Sequence, residues 1–153
     1  VQGGNYQFTH CTVVTYANRF IEHKEPVLTL SNTASNVTNA LDALFRNCIF
    51  WGENGVVTDE VLVQKAGTGT FNVNFDYNLW KVQAAPLNST ITQAINNQPP
   101  LFDSINTSDN YYDFRLKAGS PALNKGVNAG IFTDLDGKTR PVGLPDLGCF
   151  EKQ

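Results

Sequence analysis

Three segments of the chain align with one another without gaps, and this internal repeat constrains the fold more than any other feature. They are Phe8-Thr9-His10-Cys11-Thr12-Val13, Phe45-Arg46-Asn47-Cys48-Ile49-Phe50 and Phe75-Asp76-Tyr77-Asn78-Leu79-Trp80. Position one is always Phe, position four is Cys, Cys, Asn, and position six is Val, Phe, Trp. A second, weaker series follows the first two rungs, with Pro26-Val27-Leu28-Thr29-Leu30 matched by Glu60-Val61-Leu62-Val63-Gln64. Each unit therefore holds short strands separated by polar, turn-rich loops such as Ser31 to Asn39 and Lys65 to Thr70. The period of about 30 to 37 residues lies among the spacings of stacked-repeat architectures, with loops projecting from each unit.

A β-sandwich prefers hairpins with two-residue turns and clean period-two alternation. Here the strands are short and like recurs with like. If the units stack in parallel, equivalent positions lie about 4.8 Å apart along the axis. Phe8, Phe45 and Phe75 then form one internal column, and Val13, Phe50 and Trp80 a second. Cys11, Cys48 and Asn78 fall at an inward-facing bend, where small polar groups satisfy turn backbone. The repeats thus predict an all-β fold, a parallel β-helix with its coils over residues 1–83. Composition agrees: charged residues make up 16% of the chain, against an average of about 25%, and Asn, Thr, Gly and Val fill the gap. That mixture favours strands and turns over long helices.

From about Ala84 the repeat fades. Ser89 to Asn97 reads as a short helix with Ser89 as N-cap, and Pro99-Pro100 breaks regular structure after it. The remainder carries short apolar anchors at Leu101-Phe102, Phe114 to Leu116 and Leu147 to Phe150. The last unit of a stack exposes unpaired N–H and C=O groups, so residues 84–153 are expected to form a loop-rich C-terminal cap of the same domain. Val1 opens inside a Gly-rich, strand-like segment and the chain has no Met, so further N-terminal coils are expected upstream. At 153 residues the chain is long enough for one domain's core. A net charge of −3 with no run of Lys or Arg argues against a nucleic-acid partner. No stretch of about 20 apolar residues is present, so no membrane-spanning segment is expected. Cys11, Cys48 and Cys149 form neither a zinc spacing nor an even-numbered disulfide framework, and leave the redox compartment open.

The tail resembles a known family. Phe114-Arg115-Leu116-Lys117-Ala118-Gly119-Ser120-Pro121-Ala122-Leu123-Asn124-Lys125-Gly126 is similar to the "DFRL-x-x-GSPAI(D/N)-x-G" segment at the C-termini of bacterial pectate-lyase-like β-helix proteins. Thr133 to Pro141, followed by Pro145-Asp146-Leu147-Gly148-Cys149-Phe150-Glu151, resembles their closing "D-x-DG-x-x-RP…(P)D-(I/L)-G-A-(Y/F)-E". Pro100-Leu101-Phe102 matches the "DPLF" that often precedes both. The "choice-of-anchor" proteins of surface-dwelling bacteria, notably Bacteroidetes, end in this way; Cys149 stands where they usually carry Ala. The resemblance covers roughly Pro100 to Glu151. It implies a right-handed parallel β-helix of the pectin-lyase-like kind, a secreted, periplasmic or cell-surface setting, and polysaccharide handling. It carries over no catalytic residue, because lyase catalytic groups sit on mid-helix coils and their motifs have no match here.

Candidate sites follow from the residues themselves. Asp134, Asp136 and Gly137 make a D-x-D-G turn, a fragment of a calcium loop's alternating oxygen ligands, and calcium is the one cofactor the chain suggests. A full loop would end on a bidentate Glu where this chain has Pro145, so the competing reading is an Asp-Gly turn bonded to its own backbone and to Arg140. Arg46 and Asp76 share an outward column with Thr9, where they can pair, and with Trp51 they are the candidate ligand-binding residues. Trp51, next after the inward Phe50, points outward and is the best stacking platform for a sugar ring among Trp51, Tyr77, Trp80, Tyr111 and Tyr112, Trp80 being core. His10 aligns with Asn47 and Tyr77 in a column expected at the surface. His23, between Glu22 and Glu25, offers metal-binding or acid–base groups, set against a plain solvated loop. Three Asn-x-Ser/Thr sequons, at Asn36, Asn88 and Asn106, are inert in the bacterial setting. The expected role is a non-catalytic C-terminal segment that caps the stack and contacts polysaccharide. The alternatives are part of a lyase or hydrolase whose cleft lies upstream, or of an adhesin.

Overall fold

The computed structural model describes residues 2–153; Val1, from which entry in a strand-like segment was expected, lies outside them. The described residues are all-β and contain no helix. The first unit supplies β1 (Gly4–Thr9), β2 (Thr12–Tyr16) and β3 (Leu28–Ser31), followed by a small antiparallel hairpin of β4 (Thr33–Ala34) and β5 (Val37–Thr38). The second supplies β6 (Leu41–Arg46), β7 (Ile49–Glu53) and β8 (Val61–Gln64). β9 (Phe71–Asp76) and β10 (Leu79–Trp80) form the third, and β11 (Thr90–Thr92) and β12 (Ile95–Asn96) a fourth. The tail contributes an antiparallel pair, β13 (Phe102–Asn106) and β14 (Tyr111–Leu116).

Strands from successive units pair in parallel, in the orders β1-β6-β9-β11, β2-β7-β10-β12 and β3-β8. These three ladders surround one apolar core that draws on all of them, including Leu30, Ala43, Phe45, Phe50, Phe75 and Trp80. The register joins Phe8 to Phe45 and Phe45 to Phe75. Their rings stack with centroids 5.0 and 5.1 Å apart, as the repeat required. Val13, Phe50 and Trp80 align in the second ladder. Asn78 is wholly buried at the bend, accepting from Cys48 N–H at 2.9 Å and donating to Phe45 C=O at 3.0 Å. The preceding residues, His10, Asn47 and Tyr77, all take the left-handed conformation, with φ of 54°, 56° and 55°. One tight αL residue turns the chain from the first ladder into the second in each rung, a conformation Asn and His tolerate better than most.

Three expectations are corrected. Ser89 to Asn97 is no helix; it is a fourth rung, with Ile91 paired to Phe75, Ile95 to Leu79 and Gln93 at the same αL corner (φ 55°). The ladders therefore run past residue 83, to Asn96. Hydrogen bonding to the rung above outweighs the weak helix propensity of a segment rich in Thr and Asn. In the third ladder Leu28 pairs with Val61 and Leu30 with Val63, so Val27 sits opposite Glu60, one residue away from the alignment of like with like. With a side-chain period of two, this shift keeps Leu30, Val61 and Val63 inside.

The tail's apolar anchors lie along the flank of the stack, not across its end. Phe102, Leu116, Ala122 and Leu147 form a second core with Tyr16, Ile49, Trp51 and Leu79, which point outward from the second ladder. Backbone amides lock the two together: Gly148 N–H donates to Asn47 C=O at 2.8 Å and Cys149 N–H to Thr12 Oγ1 at 3.1 Å. A Cβ on Gly148 (φ 88°) would stand 2.6 Å from Thr12 Oγ1, so this close approach requires glycine. Three Asn side chains act as pieces of backbone, each donating to and accepting from one residue: Asn32 with Ala66, Asn47 with Val127 and Asn97 with Val82. Among the described residues no helix is long and apolar enough to cross a membrane.

Candidate functional site

The outward face of the first ladder is the site with the most polar side chains in register. In β6 and β9 the alternate residues Leu41, Ala43, Phe45, Val73 and Phe75 go inward, which leaves their neighbours outside. Three rows result: Asn5, Asp42 and Asn72; Gln7, Leu44, Asn74 and Thr90; Thr9, Arg46, Asp76 and Thr92. Arg46 Nε donates to Asp76 Oδ2 at 2.6 Å, so the ion pair anticipated from the repeat is formed. Asn72 Nδ2 reaches Asp42 Oδ2 at 3.4 Å. Beside these rows lies an open groove of about 420 Å³, lined by Asp42, Asn72, Asn74, Asn88, Lys65 and Phe71. The Lys65 ammonium stands 5.9 Å from the centre of the Phe71 ring.

Trp51 does point outward, but it is only 4% exposed. The flank formed by β13, β14 and the residues after them covers it, and its Nε1 donates to Glu53 Oε1 at 2.8 Å. No sugar ring can stack there, and the expectation of a platform at Trp51 is withdrawn. Trp80 is core, Tyr77 and Tyr112 are half-buried in the flank, and Tyr111 alone of the five aromatic candidates is well exposed.

Asp134 and Asp136 use their oxygens within the protein. Asp134 Oδ1 accepts from the N–H of Asp136 at 2.9 Å and of Lys138 at 2.8 Å, and Oδ2 from Glu151 N–H at 3.0 Å. Burial pushes the Asp134 carboxyl up, but the donors from Glu151, Lys138 and Asp136 outweigh it and hold the group below its ordinary value. Asp136 takes a two-pronged contact from Arg115, with Nε at 2.9 Å and Nη2 at 2.8 Å. Arg115, and not Arg140, is thus the guanidinium partner of this turn. Among the described residues no group of three or more His, Cys, Asp or Glu is arranged to hold a metal ion.

Both histidines are buried, against expectation. His10 leaves the surface because the tail folds over its corner; Asn47 Nδ2 stands 2.9 Å from its Nε2, and the Arg140 guanidinium lies against Nδ1. Burial, and then the Arg140 charge, lower its pKa from 6.5 to about 4, so the ring is neutral at pH 7. Arg140 is itself 1% exposed; Nη1 donates to Gly148 C=O at 3.0 Å, and Nε stands 3.4 Å from Glu151 Oε2. His23 is no loop residue in solvent: its Nε2 sits 3.1 Å from Glu60 Oε2, with both side chains almost wholly enclosed. Burial pushes the Glu60 carboxyl up, opposed by His23 and by the Val27 N–H. The glycines of the Trp51 to Gly55 segment make room for this pair, since a Cβ on Gly52 would lie 2.1 Å from His23 Cε1 and 2.3 Å from Glu60 Oε1. Glu22 and Glu25 stay exposed and do not join it. A Glu opening an apolar strand, facing two nearby glycines, was the one sequence signal that pointed to this pair.

The chain matches no family model, no curated protein and no solved structure. Its chemistry is therefore read from geometry. His10, His23, Glu60 and Arg140 are shut away from a bulky substrate, while Asp42, Lys65 and Asn72 face solvent and Arg46 and Asp76 are partly exposed. That exposed set can hydrogen-bond a hydroxyl-rich ligand, and within it Arg46 and Asp76 already neutralise each other.

Proposed function

We propose that this chain is a C-terminal segment of a right-handed parallel β-helix protein of the pectate-lyase-like kind, secreted or held in the periplasm or at the cell surface. Its rungs contact polysaccharide without catalysing its cleavage, and its tail clasps the side of the stack to close the fold. Further rungs of the same protein stack on β1, β2 and β3. The observation that carries the reading is the outward face of the first ladder, where three rows of side chains, polar except at Leu44, run beside an open groove. Parallel pairing spaces these rows evenly, at about 4.8 Å from strand to strand, and a repeating display suits a repeating polymer. The stacked Phe column beneath keeps the face rigid, so little ordering entropy is lost on binding. The tail's likeness to choice-of-anchor C-termini supports the setting and the substrate class.

The test is affinity electrophoresis of the chain through gels containing pectate, arabinan or xylan. Retarded migration in at least one gel is expected, with loss of retardation in a combined Asp42→Ala and Asn72→Ala variant that keeps its far-UV circular dichroism. Unretarded migration in all three gels overturns polysaccharide contact. Release of unsaturated or reducing ends from any of them overturns the non-catalytic assignment and favours the enzyme.

A further inference from the structure

The corner between the first two ladders holds two thiols in line. In rung one the link is His10-Cys11 and in rung two Asn47-Cys48, and the flanking register is Thr9 to Arg46 and Thr12 to Ile49. The links are equal in length, so Cys11 and Cys48 occupy the same position in neighbouring rungs. Equivalent positions on paired parallel strands are about 4.8 Å apart, inside the range of about 4.4 to 6.8 Å that a disulfide spans between Cα atoms. Both side chains turn into the same core. Cys48 Sγ lies 3.6 Å from Phe8 C=O, on the rung that carries Cys11, and Cys11 Sγ lies 3.6 Å from Thr9 C=O, the next carbonyl of that rung. The rungs below carry Asn78 and Ala94 in this column, so these two are its only cysteines. Cys149 enters the region from the tail, its N–H donating to Thr12 Oγ1 at 3.1 Å, and is the odd thiol.

We propose that Cys11 and Cys48 are a disulfide-forming pair, an inter-rung bridge that closes when the folding chain meets a low-molecular-weight disulfide. The Cys11 thiolate attacks one sulfur of that disulfide, RSSR; an S–S bond forms to Cys11 and RS⁻ leaves. Cys48 then attacks the Cys11 sulfur, the mixed disulfide breaks, and the second RS⁻ departs with the proton of Cys48. Two thiols are oxidised to one disulfide, and one RSSR is reduced to two thiols. The order follows from the surroundings. Cys11 is half-buried, and the neighbouring Cys48 thiol holds its thiol down at about 7 against the upward push of burial. Cys48 is fully enclosed and raised well above the ordinary thiol range, chiefly by the adjoining Cys11 thiol and then by burial. Attack by the more ionised and more accessible sulfur comes first. A rung stacked above Cys11 would shield it, so closure belongs to folding and not to the finished stack.

Trypsin separates the three cysteines into fragments 1–19, 47–65 and 139–152. Denatured, reduced chain is refolded in a buffer of reduced and oxidised glutathione, then mapped by mass spectrometry without reduction. The expected result is a linked 1–19 and 47–65 pair, one free thiol per chain, and a melting temperature about 5 to 10 °C above that of the reduced protein. Cys149→Ala should keep the linkage. Cys48→Ala should fold, since Ala94 fills the same column, and should trap Cys11 as its glutathione mixed disulfide. Three free thiols after oxidative refolding, or a linkage to 139–152 in place of 47–65, overturn the proposal. The map of the unaltered chain decides the matter even where a variant fails to fold.

Discussion

Acidification from pH 7 toward pH 4 should weaken this fold, and His10 is the reason. Its folded-state pKa is about 4 against 6.5 for an unconstrained ring, because burial and the Arg140 guanidinium both disfavour the imidazolium. Between those two values the unfolded chain binds a proton that the folded chain refuses, so stability rises with pH across the window. The contribution is fully present above pH 6.5, falls as the pH drops, and is lost below about 4. The full interval corresponds to about 3 kcal/mol, or about 6 to 12 °C in melting temperature for a domain of this size. Glu60 has the opposite sign, since its pKa is raised by burial and it gains relative stability as the pH falls. A difference measurement removes it. Urea melts of the parent and of His10→Asn, a residue that keeps the αL corner as Asn47 does one rung on, are compared from pH 7.5 to 4. The parent should lose about 3 kcal/mol more than the variant over that range. Parallel curves would refute the reasoning, and would mean that the imidazolium is accommodated beside Arg140.

Other substitutions probe the core and its polar seams. Phe45→Ala, between Phe8 and Phe75 and 1% exposed, should cost about 3 to 5 kcal/mol in urea denaturation, and Phe8→Ala, at the half-buried end of the column, clearly less. Asn97→Ala leaves the N–H and C=O of buried Val82 without partners at 3.0 and 2.7 Å and should cost about 1 to 3 kcal/mol in the same assay. Gly52→Ala drives a methyl into the His23–Glu60 pair; a loss of about 3 kcal/mol, with a shifted His23 ring resonance by NMR, is expected. An unchanged midpoint would show that the pair yields easily.

The repeat revealed the core because parallel stacking places identical positions in contact. Phe8, Phe45 and Phe75 are alike in sequence for the same reason that their rings touch. The fourth rung escaped detection where that constraint relaxes. Ile91 replaces Phe, Ala94 replaces Cys, and Asn96 stands where Val, Phe and Trp precede it, with its Oδ1 accepting from Trp80 Nε1 at 2.5 Å. An end rung covers the core from one side only, so its side chains need not be large. The slip in the third ladder was hidden for another reason. Val27-Leu28-Thr29-Leu30 and Val61-Leu62-Val63-Gln64 are so uniformly apolar that several alignments look equally good, and only the inward placement of Leu30 and Val63 selects one.

The ionisable groups were misjudged because their surroundings come from far along the chain. His10 meets Arg140 across 130 residues, and His23 meets Glu60 across 37. Local sequence marks a corner or a loop and says nothing of what will later fold over it. Trp51 fails as a platform on the same ground: its outward direction was legible from the rung, its cover from β13 and β14 was not. That cover also narrows where a ligand can dock. The flank of the second ladder is spent on the tail, which leaves the first ladder as the broad, regular face with polar rows still open. Asp42 and Asn72 are therefore the informative positions for any binding experiment. They lie outside both apolar cores and beside the groove, so their removal tests recognition with little disturbance of the structure that presents it.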